Sequence, residues 1–189
     1  MDGIGKFAPR VPPGMDAMQW PLWDSTALTT VSITELAMFK VPVGQSSKTK
    51  LDTNMSASGV IVEGEYYDMY SLGVGFRNNL TTTVTQADLR KVLGGGYISI
   101  VIQDREVFAC PMICLPLGGG DNVMMGAATD VCLNNGIASS NARYFFKRMI
   151  RIYKNIPFTV FARWPGGIAT ASNLNFMVWI DGLIYRRKV

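Results

Sequence analysis

From residue 27 onward the chain alternates apolar and polar positions with a period of two, the spacing of strands with one buried face. In "TTVSITELAMF", Val31 and Ile33 fall on one face and Ser32 and Thr34 on the other. Leu36 and Met38 then carry the apolar face, so the phase slips by one near Glu35, as a β-bulge would make it. "SGVIVEGEYYDMYSLGVGF" supplies further strand material broken by glycines, and "NLTTTV" (79–84) is polar and β-branched, suited to a half-exposed strand. "YISIVIQ" sets Ile98, Ile100 and Ile102 on one face, and "REVFACPMICL" follows as a strand broken at Pro111. "RYFFKRMIRIYKNI" fits both a helical face and a strand; its aromatic and β-branched content favours a strand over 146–153. "PFTVFARW" and "LNFMVWI" are strands, and Asp181-Gly182 predicts a turn joining the second to "LIYRR".

One segment departs from this period. Thr85 with Asp88 three residues later has the form of a capping box, Leu89, Val92 and Leu93 share a helical face, and Gly94 supplies the stop. Residues 1–24 differ again. Pro9, Pro12, Pro13 and Pro21 favour extended backbone, while Phe7, Met15, Met18, Trp20 and Trp23 are too apolar for a solvated tail. They read as an arm that packs on its own or a neighbouring subunit. About eight strands, one short helix and no βαβ rhythm predict an all-β protein. The expected architecture is a single eight-stranded jelly-roll sandwich over 25–189, behind an extended N-terminal arm over 1–24.

Composition sharpens this. Charged residues are 17% of the 189, against about 25% in an average soluble domain. Eleven Met and four Trp need burying, and 18 basic with 14 acidic side chains would cover a compact monomer's surface thinly. Such a surface is covered either by Thr, Ser and Asn or by other protein, and we read a subunit of an assembly. Phe7, Trp20, Trp23 and the loop at Gly118, Gly119 and Gly120 are the candidate subunit contacts. The net charge of +4 gathers in 142–154 and at the C-terminus. Arg143, Lys147, Arg148, Arg151, Lys154, Arg186, Arg187 and Lys188 are accordingly candidates for contact with lipid or a packaged genome. No run of ~18 apolar residues and no apolar leader is visible, so the chain is expected to stay in the cytoplasm until it assembles.

Catalytic chemistry finds little footing. The chain has no histidine, which removes Ser-His and Cys-His activation, most zinc sites and the usual neutral-pH base. The glycine runs at 94–96 and 118–120 lack the Lys-Ser or Lys-Thr of a phosphate loop, and Ser99 and Val123 stand where a dinucleotide fingerprint needs its third glycine. Cys110, Cys114 and Cys132 are odd in number and lack framework spacing, so they read as small buried apolar groups. The expectation is no enzyme, cofactor, metal or small-molecule substrate.

Two stretches carry a resemblance. "ADLRKVLGGGYISIVIQDREVFACPMICLPLGGGDN" and "IYKNIPFTVFARWP...FMVWIDGLIYRR" resemble jelly-roll capsid proteins of tailless icosahedral, membrane-containing bacteriophages. The first is like a short helix leading into a strand and an "LP-GGG" loop, the second like the last strands, with "N-x-P-F", "W-x-D-G" and a basic end. Together they cover roughly the C-terminal half. The resemblance implies a shell subunit that self-assembles through sandwich edges, loops and arms. Copies of itself and other capsid proteins would be its partners, with internal membrane lipid or packaged DNA beside them, and its location would be the virion. No functional residue carries over, because a surface and not a site does the work.

Two rivals stand beside this reading. A sugar-binding or host-attachment sandwich would use Trp164 and Trp179 as stacking platforms. A carboxylate-pair hydrolase would use Glu63 and Glu65, which share a strand face and with Asp68 could also hold a cation.

Overall fold

The computed structural model describes residues 11–77, 86–115, 143–171 and 173–188. Among these residues, nine strands form two antiparallel sheets with one α-helix. The strands are β1 (Met15–Gln19), β2 (Leu22–Leu28), β3 (Ile33–Met38), β4 (Tyr66–Arg77), β5 (Tyr97–Ile102), β6 (Arg105–Pro111), β7 (Tyr144–Tyr153), β8 (Phe158–Ile168) and β9 (Leu174–Arg187). The helix α1 is Gln86–Gly95. The first sheet runs β1-β9-β4-β7, with β2 also on β9, and the second runs β3-β8-β5-β6. The all-β expectation holds, as a β-sandwich.

The two sheets share one core because their alternation is in phase. On β9, Leu174, Phe176, Val178, Ile180 and Ile184 are buried, and on β5 and β8 Ile98, Ile100, Val160, Ala162 and Trp164 face them. Trp164 of one sheet meets Phe176 of the other edge to face at 5.9 Å, and Phe108 meets Phe146 at 5.1 Å. Trp164 also donates its indole N–H to the Val92 carbonyl at 2.9 Å, so the helix is seated by a core side chain as well as by Leu89 and Val92. Asp88 is buried and accepts the Ala171 amide at 3.0 Å, a tertiary role; its capping partner Thr85 lies outside the described residues.

Four expectations from sequence change. First, 15–19 and 22–24 pair with β9, so the boundary between 24 and 25 falls inside β2. β1 and β2 lie end to end along the same edge of β9, broken at Trp20-Pro21. Pro21 has no N–H to give, and the buried Tyr67 hydroxyl reaches the carbonyls of Trp20 at 2.8 Å and Ile180 at 3.2 Å.

Second, Asp181-Gly182 is not a turn. β9 continues through both residues, with Asp181 opposite Ser71 and Gly182 opposite Met69 on β4. The glycine is there for space: a Cβ would overlap the Tyr67 ring and crowd the Asp68 carbonyl. Asp181 stays in the strand because Ser71 Oγ donates to it at 2.6 Å and Arg143 at 2.7 Å.

Third, the slip near Glu35 is real, but the extra residues sit on the partner. Ile33 pairs with Ile168 and Glu35 with Arg163, so β8 supplies the excess around Pro165 and Gly166. Fourth, the ambiguous basic segment is a strand, starting two residues earlier than expected, at Tyr144. The stretch 79–84 and the Gly118–Gly120 loop lie outside the described residues.

Candidate functional site

A charged residue in the middle of a strand must reach across to a neighbour or stay in water. Most arginines here reach across. Arg151 on β7 holds Asp68 on β4 with two bonds of 2.7 Å, and its guanidinium lies 4.0 Å from the Tyr66 ring centroid. The Asp68 hydrogen bond raises the Arg151 pKa above its ordinary value, against the opposing cost of burial. Arg143 pairs with Asp181 at 2.7 Å and stacks over Trp179 at 4.5 Å. On the second sheet, Arg163 joins Glu35 on β3 at 2.6 Å, Ser99 on β5 at 2.7 Å and Glu106 on β6 at 3.6 Å. Arg186 and Arg187 meet Glu63 and Glu65 at 3.0 and 3.4 Å.

The eight candidate lipid or genome contacts therefore fall into two groups. Arg143, Arg151, Arg186 and Arg187 are each engaged by a carboxylate. Lys147, Arg148, Lys154 and Lys188 have no ion pair among the described residues and are exposed. The sequence places these cations in two clusters, 142–154 and the C-terminus; within each, the folded chain pairs some and leaves others, because the pairing acids come from β4, β9 and the 63–65 turn, far away along the chain.

Among the candidate subunit contacts, Trp20 and Trp23 are half-buried against this chain's own sheet and loop. The Trp20 amide donates to the Gly182 carbonyl at 2.9 Å, and the Trp23 indole to the Lys50 carbonyl at 3.0 Å. Phe7, Gly118, Gly119 and Gly120 lie outside the described residues.

The rival sites are altered by burial and pairing. Trp164 and Trp179 are only 1% and 8% exposed, so neither offers a ring face to a sugar. Trp179 lies on the outer side of its sheet, over Gly73, where any side chain would overlap the indole; its Nε1 has no hydrogen-bond partner. Glu63, Glu65 and Asp68 each face a different arginine, and no three metal-ligating side chains converge among the described residues. Cys110 is half-buried and Cys114 exposed, within hydrogen-bonding reach of each other, so neither is the buried apolar group expected; burial, then Cys114, pushes the Cys110 thiol up. Cys132 lies outside the described residues.

Two features escaped the sequence reading. One is a buried anchor. Asp24 on β2 is fully buried, accepts the Phe39 amide at 2.6 Å and pairs with Lys48 at 2.5 Å. Phe39 is itself buried with a left-handed φ of 66°. The anchor ties β2 to the end of β3 and to the 40–55 loop. Burial, partly offset by Lys48 and the Phe39 amide, holds the Asp24 carboxyl above its ordinary value. The other feature is an open cleft of about 760 Å³ between β6 and β7, lined by Arg105, Phe108, Tyr144, Phe146, Lys147 and Arg148 among others. An acid directly after the apolar "PLW" was a signal for the first; nothing local signals the second.

No helix among the described residues is long and apolar enough to cross a membrane. No family model, no curated protein and no solved structure matches the chain.

Proposed function

We propose that this chain is a jelly-roll subunit that self-assembles into a viral shell. The observation that carries the reading is the nesting of strand pairs. β1 and β2 share one edge of β9 and count as one broken strand, which leaves eight strand positions. These pair as β1/β2 with β9, β3 with β8, β4 with β7 and β5 with β6. Successive pairs fall in alternate sheets. This nesting supports the reading of one long hairpin wound up on itself as a jelly roll.

A fold alone does not fix a function, since jelly rolls also serve as cupins and lectins. Chemistry narrows the choice. Histidine is a principal metal ligand, and this chain has none. A sugar platform needs exposed aromatic rings, and the two tryptophans assigned to that role are buried. Large apolar side chains stay outward instead: Ile113, Leu51, Val31, Tyr153 and Phe145 are all more than half exposed. Surfaces of this kind suit burial against other protein. The shell reading locates the chain in the virion, with copies of itself as first partners.

Light scattering and negative-stain imaging of the full chain test this. Closed particles or large ring-like oligomers, growing with protein concentration, are expected. A species that stays at the 20.8 kDa of one chain across concentration and ionic strength overturns it.

A further inference from the structure

Both sheets end on the same side of the sandwich. β7 is the last strand of the first sheet and β6 the last of the second. Each presents an edge of backbone donors and acceptors that no other described strand uses. Such edges are templates for another strand unless something blunts them.

The gap between these edges is shaped for an occupant. On β4, Met69 pairs with Ile150 and Ser71 with Phe145, so residues 146–149 of β7 oppose Tyr70 alone. The excess chain bulges, and Lys147 and Arg148 line the cleft it opens. Across the gap, Ile100 pairs with Phe108 and Val101 with Glu106, which leaves Val107 unpaired in its own bulge and 42% exposed. The floor is aromatic: Phe108 lies 5.2 Å from Tyr144 and 5.1 Å from Phe146.

The charge of the cleft has one sign. Its charged lining residues are Arg105, Lys147, Arg148 and Arg151. Asp68 neutralises Arg151, and the other three have no carboxylate partner among the described residues. Elsewhere on this molecule the rule is the reverse, with one acid set against almost every strand arginine. The described acids are therefore already engaged within the chain, apart from exposed Asp16 and Asp104, and Asp16 sits on β1, whose pairing to β9 is made. A second copy has no acidic extended segment to offer from its described residues.

We propose that the cleft between β6 and β7 receives an extended acidic segment of a partner protein, which adds to the free edge of β6 as a further strand. Its alternate side chains would lie on the half-buried rings of Phe108 and Tyr144, and its carboxylates would meet Arg105, Lys147 and Arg148. Free backbone edges favour a peptide over nucleic acid, and the floor ring of Phe146 is too buried for a base to stack on it. The inference does not rest on the shell reading: particle size tests that one, and peptide binding tests this one.

The test uses the full chain and a short fluorescent peptide alternating glutamate with valine or phenylalanine. The comparison probes are the same peptide with lysine for glutamate, an oligothymidylate and phosphatidylglycerol vesicles. Saturable binding of the acidic peptide alone is expected, weakened about tenfold, one decade in Kd, in the double variant Lys147→Glu/Arg148→Glu. Arg105→Glu, on the other wall, is expected to act in the same direction, so a folding failure of the first variant leaves a second measurement. Amide exchange at 105–111 should slow on binding. Lys40→Glu, outside the cleft, should change nothing. Absence of saturable binding, binding indifferent to both charge reversals, protection confined to other strands, or displacement of the peptide by oligothymidylate or vesicles would each overturn the proposal.

Discussion

The two sides of the sandwich are built on opposite rules. On the side of β1, β2 and β3, polar groups drawn inward find partners: Asp24 holds Lys48 and the Phe39 amide, Asn54 receives the Trp23 amide and donates to the Pro21 carbonyl, and Tyr67 serves the break between β1 and β2. On the side of β6 and β7, Arg105, Lys147 and Arg148 have no acid partner among the described residues, and Phe145 and Tyr153 stay more than half exposed. The first side is organised to hold this chain together. The second is organised as though something else completes it. Each side carries cations, Lys48 on the first and Lys147 and Arg148 on the second; the availability of a buried acid separates them.

Substitutions can break this contrast. The largest effect is expected at the closed side. Asp24→Ala strands Lys48 and leaves the Phe39 amide unanswered, and should lower stability by about 3–5 kcal/mol in urea denaturation. A loss below about 1 kcal/mol would mean that the anchor does not hold that side. The same carboxyl gives a pH dependence. Its folded pKa is raised, so the folded state binds more protons than the unfolded one between the ordinary carboxylate value and the raised one. Stability from this group therefore falls as pH rises through that window. Asp24→Asn should flatten that slope while lying lower overall, as denaturation midpoints at several pH values would show.

Gly182→Ala comes next. A methyl group there overlaps the Tyr67 ring, and about 1–3 kcal/mol should be lost. Were Asp181-Gly182 a tight turn, the same change would leave Tyr67 undisturbed, so the near-ultraviolet tyrosine signal separates the two geometries. Tyr67→Phe should cost about 1 kcal/mol, because a buried carbonyl at the break loses its donor. The smallest effect belongs to the open side: Lys147→Ser with Arg148→Ser should shift the thermal midpoint by no more than about 0.5 kcal/mol of stability is worth. A large loss there would show that the cations already serve the fold, and the contrast between the sides would collapse.

Much of the β content was legible because period-two alternation is a local property. The faces of β5, β8 and β9 follow from the positions of isoleucine, valine and phenylalanine alone. The helix was equally plain, although its Asp88 turned from a local cap into a tertiary acceptor for Ala171. Two readings failed for a common reason. The Asp181-Gly182 turn and the boundary at 24 both treated a residue by its neighbours in sequence. Gly182 is dictated by Tyr67, and the start of the sheet by the edge of β9.

By itself, the sequence determined that most alternating stretches beyond residue 27 become strands that bury one face, and that the chain carries no histidine. Those are matters of residue type and spacing, and they need no knowledge of the chain's path. The tertiary structure alone decided which cations meet a carboxylate, which sheet edges no other described strand pairs with, and that β9 runs unbroken. Electrostatic pairing and edge exposure depend on which strands become neighbours, and that order is set by long-range contacts that local spacing does not encode.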